Sequence, residues 1–401
     1  MMNADRLNIL WITERYPPLA GGMAASAHRQ VVALRQRQHR VDVMLFENLP
    51  GEKGVTLRQT LRDGGRDMVV AHSEAYGNAA QRGWREVMLC HHKDPYDLVL
   101  GFGACLPGYT AVTWAAFLGI PAMVSVRGND FDRDWFEPKR GSFVQEALGR
   151  ADRIGAVSVE KTAKIKALFP EKSVFWCPNG VDPGLYDLLP DEQERCGKLR
   201  SELNGQGRRI IGLFGELKYK KRIPDLLAAI RQQGLKDRVS LLITGRMDEE
   251  CQALIADPAL SPDSRHLSFR EADRLPALYA ACDFVAIPSL FEGFPNVLLE
   301  SMAAGAVPIV SDAGAMGDVI KQGETGFVFP ALDRKACGNM LTRALALTDD
   351  QLALMKQRVR QEVRDRFSVD RESHILEREI LTAVREYHAY RQTDRSKRVF
   401  A

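Results

Sequence analysis

DFVAIPSLFEGFPNVLLESMAAG, residues 283–305, changes character twice within 23 positions. Its first part, Asp283 to Ser289, is a short apolar run of the kind that forms a buried parallel strand. From Asn296 to Ala304 the pattern turns helical, with Pro295 and Asn296 at the start and Gly305 just past the end. A strand feeding a helix through a tight loop is the unit of a doubly wound sheet. That loop leaves the carboxyl end of the strand, where open α/β sheets bind ligands. Two carboxylates flank the turn. Glu292 lies on the loop, and Glu300 lies about one turn into the helix, roughly 6 Å along its axis at ~1.5 Å per residue. The helix's first amides, around Phe294 and Asn296, lack intrahelical partners and suit phosphate or sugar hydroxyls.

The same alternation extends in both directions. Upstream, strands are expected at Leu7–Ile12, Val41–Phe46, Met68–His72, Leu98–Phe102, Pro121–Val126 and Arg153–Val157, with helical stretches between them, the first from about Ala25 to Gln38. The polar stretch 47–67 reads as a flexible insertion. A second series runs through Arg209–Phe214, Val239–Thr244, His266–Phe269, Asp283–Pro288 and Ala306–Val310. The 401 residues are too many for one ordinary core and suit two domains of about 200 each. The expectation is therefore an α/β chain with two doubly wound, Rossmann-like domains, 1–185 and 205–370, divided in the polar interval 183–207.

Composition narrows the function classes. At 45% hydrophobic and 27% charged the chain is globular, and a net charge of +3 gives no case for a nucleic-acid partner. Seven cysteines, Cys90, Cys105, Cys177, Cys196, Cys251, Cys282 and Cys337, form no CxxC pair and read as scattered thiols in a reducing compartment. The opening MMNADRLNILWITERYPP does not read as a signal peptide, so the expected place is the cytoplasm. Leu98 to Val126 carries no charge, but its glycines and prolines break it into strand, loop, helix and strand rather than a membrane span. The basic tail YRQTDRSKRVFA reads as a solvated end; peripheral contact with the inner face of a membrane is the alternative. His91 and His92 adjoin and lack the i, i+4 spacing of helical metal ligands, and there is no Walker A, GxSxG or dinucleotide fingerprint.

Glu292-x7-Glu300 within EGFPNVLLE, followed by GAVPIVSDAG, resembles the signature of the family-4 retaining glycosyltransferases, which have the GT-B fold. The likeness covers nearly the whole chain, from YPPLAGGM at 16–23 to GETGFVFP. It implies two Rossmann-like domains facing across a cleft, with the last helix, about 372–390, crossing back onto the first. Gly21 and Gly22 stand in the family's first loop, where backbone comes close to the donor phosphates. In GELKYKKRIP, Gly215 opens a second loop. The family pattern there is Gly-Arg-Leu and then Lys-Gly; this chain has Glu216 for the arginine and Arg222 for the glycine. Lys221 matches the family lysine, with Lys220 close behind, and either ammonium could face a diphosphate.

In SVRGNDFDRD, Arg127 stands where the family's histidine lies beside the sugar, followed by Gly128 and Asp130. An arginine stays charged, so Arg127 reads as a clamp for phosphate or a sugar hydroxyl, not a proton acceptor. Asp130 is then the acid-base candidate of the first domain, with a loop-stabilising carboxylate as the competing reading. Asp132-Arg133-Asp134 is a DxD, a metal-binding triplet in a different glycosyltransferase fold, and here follows the wrong strand pattern. Asn179-Gly180-Val181-Asp182 matches the family's NGVD and reads as a turn.

The resemblance implies transfer of a hexose-type sugar from a nucleoside-diphosphate donor to a glycan or lipid-linked acceptor hydroxyl, with retention and without a metal. Glu300 would take the ribose hydroxyls. Glu292 would hold the sugar hydroxyls beside the amides of Gly293, Phe294, Pro295 and Asn296 (Pro295 adding only its ring). Lys221 would neutralise the leaving diphosphate. The alternatives are a non-catalytic nucleotide-sugar binder or partner subunit, kept open by Glu216 and Arg127, and a GT-B nucleotide-sugar epimerase.

Overall fold

The computed structural model describes residues 6–49, 54–73, 75–203, 207–268 and 275–399. Two units divide the chain: Met1–Asn179 with Val369–Ala401, and Gly180–Ser368. The first unit contains β1 (Asn8–Thr13), β2 (Arg40–Asn48), β3 (Val55–Arg62), β4 (Gly65–His72), β5 (Leu98–Phe102), β6 (Ala122–Val126), β7 (Arg153–Ala156) and β8 (Ser173–Trp176). They form one sheet in the order β3-β4-β2-β1-β5-β6-β7-β8. Every neighbour pair is parallel except β3 with β4.

β5 is apolar throughout, and β1 and β6 are apolar but for Asn8, Thr13 and Ser125, because both faces of the sheet are covered. Alternate residues serve opposite faces. Leu10, Ile12, Val99 and Val124 join one core, while Ile9, Trp11, Leu98 and Leu100 join another on the far side. Leu376, Ile380, Ala383 and Val384 of the helix Val369–Val399 complete that second core. Glu372 of the same helix accepts from Arg29 Nε at 2.8 Å and from Gln30 Nε2 at 2.6 Å.

The described part of the stretch 47–67 is ordered strand, not a flexible insertion. β2 runs on to Asn48, and β3 pairs antiparallel with β4 from Val55↔His72 to Arg62↔Gly65. β3 is an edge strand with mostly exposed side chains, so it needs little apolar content. β8 was also missing from the expected strands.

The second unit holds β9 (Arg209–Phe214), β10 (Val239–Thr244), β11 (Asp263–Leu267), β12 (Phe284–Ile287), β13 (Val307–Ser311) and β14 (Phe327–Phe329). They lie in the order β11-β10-β9-β12-β13-β14, all parallel. β14 was not expected, and Phe269, the expected end of the third strand, lies outside the described residues. The interval 183–207 carries a short turn of helix, Pro183–Tyr186, and the helix Pro190–Leu203.

In both sheets the chain winds outward on one side and then returns to wind on the other. The reversal falls between β1 and β5 in the first sheet and between β9 and β12 in the second. Such a reversal parts the two loops that leave the adjacent carboxyl ends and opens a crevice between them. In the second unit those loops are Gly215–Arg222 and Pro288–Pro295, which carry Lys221 and Glu292. Among the described residues no helix is long and apolar enough to cross a membrane. All seven cysteines are free and buried.

Candidate active site

Lys221 and Glu292 meet at the reversal point of the second sheet. Lys221 Nζ lies 2.7 Å from Glu292 Oε1, and the Ser289 hydroxyl donates to the same oxygen at 2.9 Å. Lys220 Nζ is 3.7 Å from Glu292 Oε2 and 5.8 Å from the Phe291 ring centroid. The backbone closes the arrangement, since Leu290 N donates to Lys220 O at 2.8 Å and ties the two loops together. Side-chain exposure is 9% for Glu292 and 13% for Lys221, against 38% for Lys220. Burial pushes the Glu292 carboxyl up, but Lys221, Lys220 and the Ser289 hydroxyl outweigh it and hold the group below the ordinary carboxylate value.

Eight residues on, Glu300 sits in the helix Asn296–Ala303, whose N-cap is Pro295. The Tyr279 hydroxyl donates to Glu300 Oε2 at 2.8 Å, and its ring lies 4.3 Å from that of Phe214. Burial first, and the Glu300 carboxylate second, raise Tyr279 well above the ordinary phenol value, so it stays a donor. Phe294 is buried and packs 5.9 Å from Phe367, which anchors the turn from below.

The loop after β13 buttresses this turn. Ala315 N donates to Gly293 O at 2.9 Å. Gly314 has φ +62°, and a Cβ there would stand 2.1 Å from the carbonyl oxygen of Glu292. Gly314→Ala should therefore cost more than about 1 kcal/mol from the left-handed backbone alone and push Glu292 away from Lys221. Thermal unfolding and donor titration of the variant should show a lowered melting temperature together with weakened donor binding. Wild-type values in both would refute the buttress.

Glu216, at the family arginine's position, is exposed and pairs with Lys218 at 2.7 Å. Arg222, at the family glycine's position, has φ +51° and caps the helix Ile223–Gln232, which explains why a glycine suits the site. Its guanidinium lies 5.2 Å from the Tyr219 ring centroid and pairs with Asp225. Gly215 follows β9 directly, and its amide donates to Thr244 O at 2.9 Å.

In the first unit, Gly21 caps the helix Gly22–Gln36, which begins at Gly22 rather than near Ala25. Arg127 is buried, stacks 4.6 Å over Phe102 and donates to the Asn179 side-chain oxygen. Asp130 accepts from the amides of Ala104 at 2.8 Å, Arg127 at 3.0 Å and Gly128 at 2.5 Å, which links the loops after β5 and β6. Burial raises its pKa against the pull of those three amides. Both carboxylates of the DxD are engaged by cations. Asp132 pairs with Lys161 at 2.7 Å, and Asp134 with Arg133 at 2.8 Å and Arg140 at 2.7 Å.

Two polar groups at this site were not singled out from the sequence: Ser289 and Tyr279. Ser289 stands three residues before Glu292, close enough for a local reading to have found it. Tyr279 lies 21 residues before Glu300 and meets it only through the packing of two helices.

Two family models match the chain: Glycosyltransferase Family 4 over residues 20–185 and Glycosyl transferases group 1 over residues 198–362. An uncharacterized glycosyltransferase of Methanocaldococcus jannaschii is 24% identical over 344 residues, spanning 81% of this chain and 85% of the relative. A lipopolysaccharide core biosynthesis mannosyltransferase of Rhizobium leguminosarum bv. viciae is 32% identical over 208 residues, 49% of this chain and 56% of the relative. Among solved structures, sucrose-phosphate synthase from Thermosynechococcus elongatus superposes with a TM-score of 0.75 at 19% identity, covering 98% of this chain and 100% of that one. Anabaena HepE in complex with UDP gives 0.74 at 18% identity, covering 94% and 100%. At such identities the likeness is one of fold, and the fold is GT-B.

Proposed function

This chain belongs to the family-4 glycosyltransferases, the glycosyl transferases group 1, and within that family we propose that it moves a hexose-type sugar from a nucleoside-diphosphate donor to an acceptor hydroxyl with retention at the anomeric carbon. As a family member it is a glycosyltransferase that uses a nucleotide sugar. The observation that carries the finer reading is the Lys221–Glu292–Ser289 cluster at the reversal point of the second sheet, with Glu300 eight residues on.

Glu292, ionised at neutral pH, accepts from the sugar's hydroxyls. Lys221 has three N–H donors; one is directed at Glu292, which leaves two for the diphosphate as its negative charge grows. Glu300 takes the ribose hydroxyls, oriented by Tyr279. Glu216 pairs with Lys218, so the phosphate contact falls to Lys221 and Lys220. The acceptor binds on the first unit, where Asp130 has its oxygens committed to amides; it shapes the loops there, and Arg127 holds them through Phe102 and Asn179. The mechanism is a same-face displacement: the acceptor oxygen bonds to the anomeric carbon, the bond to the diphosphate breaks, and the donor phosphate receives the acceptor's proton. A trapped covalent glycosyl-enzyme would exclude it. A role in bacterial polysaccharide or glycolipid synthesis is supported by the Rhizobium mannosyltransferase.

Thermal shift with UDP-, GDP- and ADP-sugars tests the reading and selects the base: one class should stabilise the protein, and stabilisation by none would count against it. Glu300→Gln should weaken nucleotide binding about 10–100-fold, the equivalent of ~1.5–3 kcal/mol for bonds to a charged group. Tyr279→Phe should weaken it by about fivefold, near 1 kcal/mol for one hydrogen bond. In a Glu300→Ala background the Tyr279 change should cost nothing further. A Tyr279 effect that persists there would separate it from Glu300.

A further inference from the structure

β3 is the outer strand of the first sheet, and no described strand pairs with its free side. Along that side every second residue turns its amide N–H and carbonyl away from β4. Such an edge is a template for another strand unless charge, proline or a bulge blocks it. The sequence of β3, VTLRQTLR, contains no proline, and it pairs with β4 residue for residue without a bulge. Its two arginines are its only charges, and each already has a carboxylate on its own sheet. Arg58 faces Glu47 at 3.5 Å, and Arg62 lies 2.9 Å from Asp67, which Arg35 shares.

The two faces of β3 differ. Val55, Leu57, Gln59 and Leu61 lie on the side of the helix Tyr76–Lys93, where Val55 and Leu57 pack against the core. Leu61, at 84%, is the most exposed large apolar side chain among the described residues. Cys90 of that helix meets Arg66, the cross-strand neighbour of Leu61, and Leu89 beside it is also exposed. Thr56, Arg58, Thr60 and Arg62 lie on the other face.

The strand's own sequence complements itself. A two-fold axis perpendicular to the sheet joins two such edges antiparallel and keeps the same face upward in both copies, so opposed residues come from the same face. With the axis at Gln59, each Gln59 meets its counterpart, and Leu57 of either copy meets Leu61 of the other. Arg58 then stands opposite Thr60, and Arg62 opposite Thr56. Arginines of the two copies are only diagonal to one another, at about 7–8 Å. A slip to the next allowed register in one direction opposes Arg58 to Arg58; in the other it opposes Arg58 to Arg62. Either slip also sets a leucine against Gln59. Of the three registers, the one centred on Gln59 alone covers Leu61 without placing like charges face to face. We propose that a second copy of this chain docks on β3, pairing β3 with β3 about a two-fold axis at Gln59 and joining the two first-unit sheets into one. The pairing is independent of the glycosyltransferase reading, and it takes from water an apolar side chain that a single copy leaves exposed.

Sedimentation equilibrium of the full chain tests it. A strand pair with two leucine contacts is a small interface, so wild type should dimerise with a dissociation constant of about 1–100 µM. Leu61→Lys, which sets an ammonium against Leu57, should raise that constant at least about tenfold. Gln59→Lys and Gln59→Glu should each weaken association too, because a charge on the axis opposes its own copy. Mixed in equal amounts, these two variants should associate at least as tightly as wild type, since an ammonium then meets a carboxylate. Gln59 and Leu61 are exposed, so the unfolding temperature of each variant, measured on dilute monomer, should match wild type. A wild type that stays monomeric at about 100 µM overturns the proposal and leaves the edge to a foreign strand or to solvent. A dimer that none of the three substitutions weakens overturns it as well, as does a mixture no tighter than either variant alone, because the axis then lies elsewhere.

Discussion

Lys221→Ala should lower the turnover of sugar transfer by about 10²–10³-fold, the usual effect of removing one preorganised donor from a developing negative charge. The donor KM should change far less, because the ammonium matters most once the bond to the diphosphate has begun to break. Lys220→Ala is the control. Its ammonium stands 3.7 Å from Glu292 and is 38% exposed, so its loss should be several times milder. The pH profile adds a second readout. Among the groups opposing burial, Lys221 does the most to hold Glu292 below the ordinary carboxylate value. Without Lys221 the Glu292 pKa rises, so the acid limb of kcat/KM should move to higher pH. If Lys221→Ala turns over at the wild-type rate with an unmoved acid limb, the assignment of the cluster is wrong.

Asp283→Ala should produce the largest loss of stability, about 3–5 kcal/mol, the cost of removing one partner from a buried ion pair. Asp283 is buried at the foot of β12 and accepts from Ile210 N at 3.0 Å, Arg200 Nη2 at 3.0 Å and Lys356 Nζ at 2.9 Å. Burial raises its pKa, but Lys356 and Arg200, with the Ile210 amide, outweigh it and hold the group below the ordinary carboxylate value. A lowered carboxylate pKa means that the unfolded chain binds the proton more readily than the folded one. The contribution is therefore complete above the ordinary value and drains away as pH falls through the lower, folded value. Urea unfolding of wild type and variant should differ most near pH 7 and converge in acid below 3.8. A gap that stays constant into acid would mean that lost packing, not charge, is responsible.

The residues that the sequence made legible share one property: their partners are local or lie on loops that the β-α pattern already places. The run 283–305 reads as strand, turn and helix by itself, and its loop borders the loop after β9 once the sheet order is known. That is why Glu292 and Lys221 come together although they are 71 positions apart. Tyr279 was not legible because its bond to Glu300 depends on how two helices lean together. The residue type at Asp130 was a clear signal, but its three amide partners come from two loops joined only by the pairing of β5 with β6. β3 was missed because a half-exposed edge strand carries no apolar signature.

The first unit is discontinuous in sequence, and that affects how the protein is made. On the ribosome, Leu376, Ile380 and Glu372 emerge only after the whole of Gly180–Ser368. Until then the helix Gly22–Gln36 has neither the apolar cover of Leu376 and Ile380 nor the carboxylate that takes Arg29 and Gln30. The second unit, contiguous in sequence, is free to fold as soon as it clears the exit tunnel. Synthesis order is thus reversed in folding order: the unit translated first is the last to be sealed, and a chain released from the ribosome before residue 369 should leave it open to chaperones and proteases while the second unit closes.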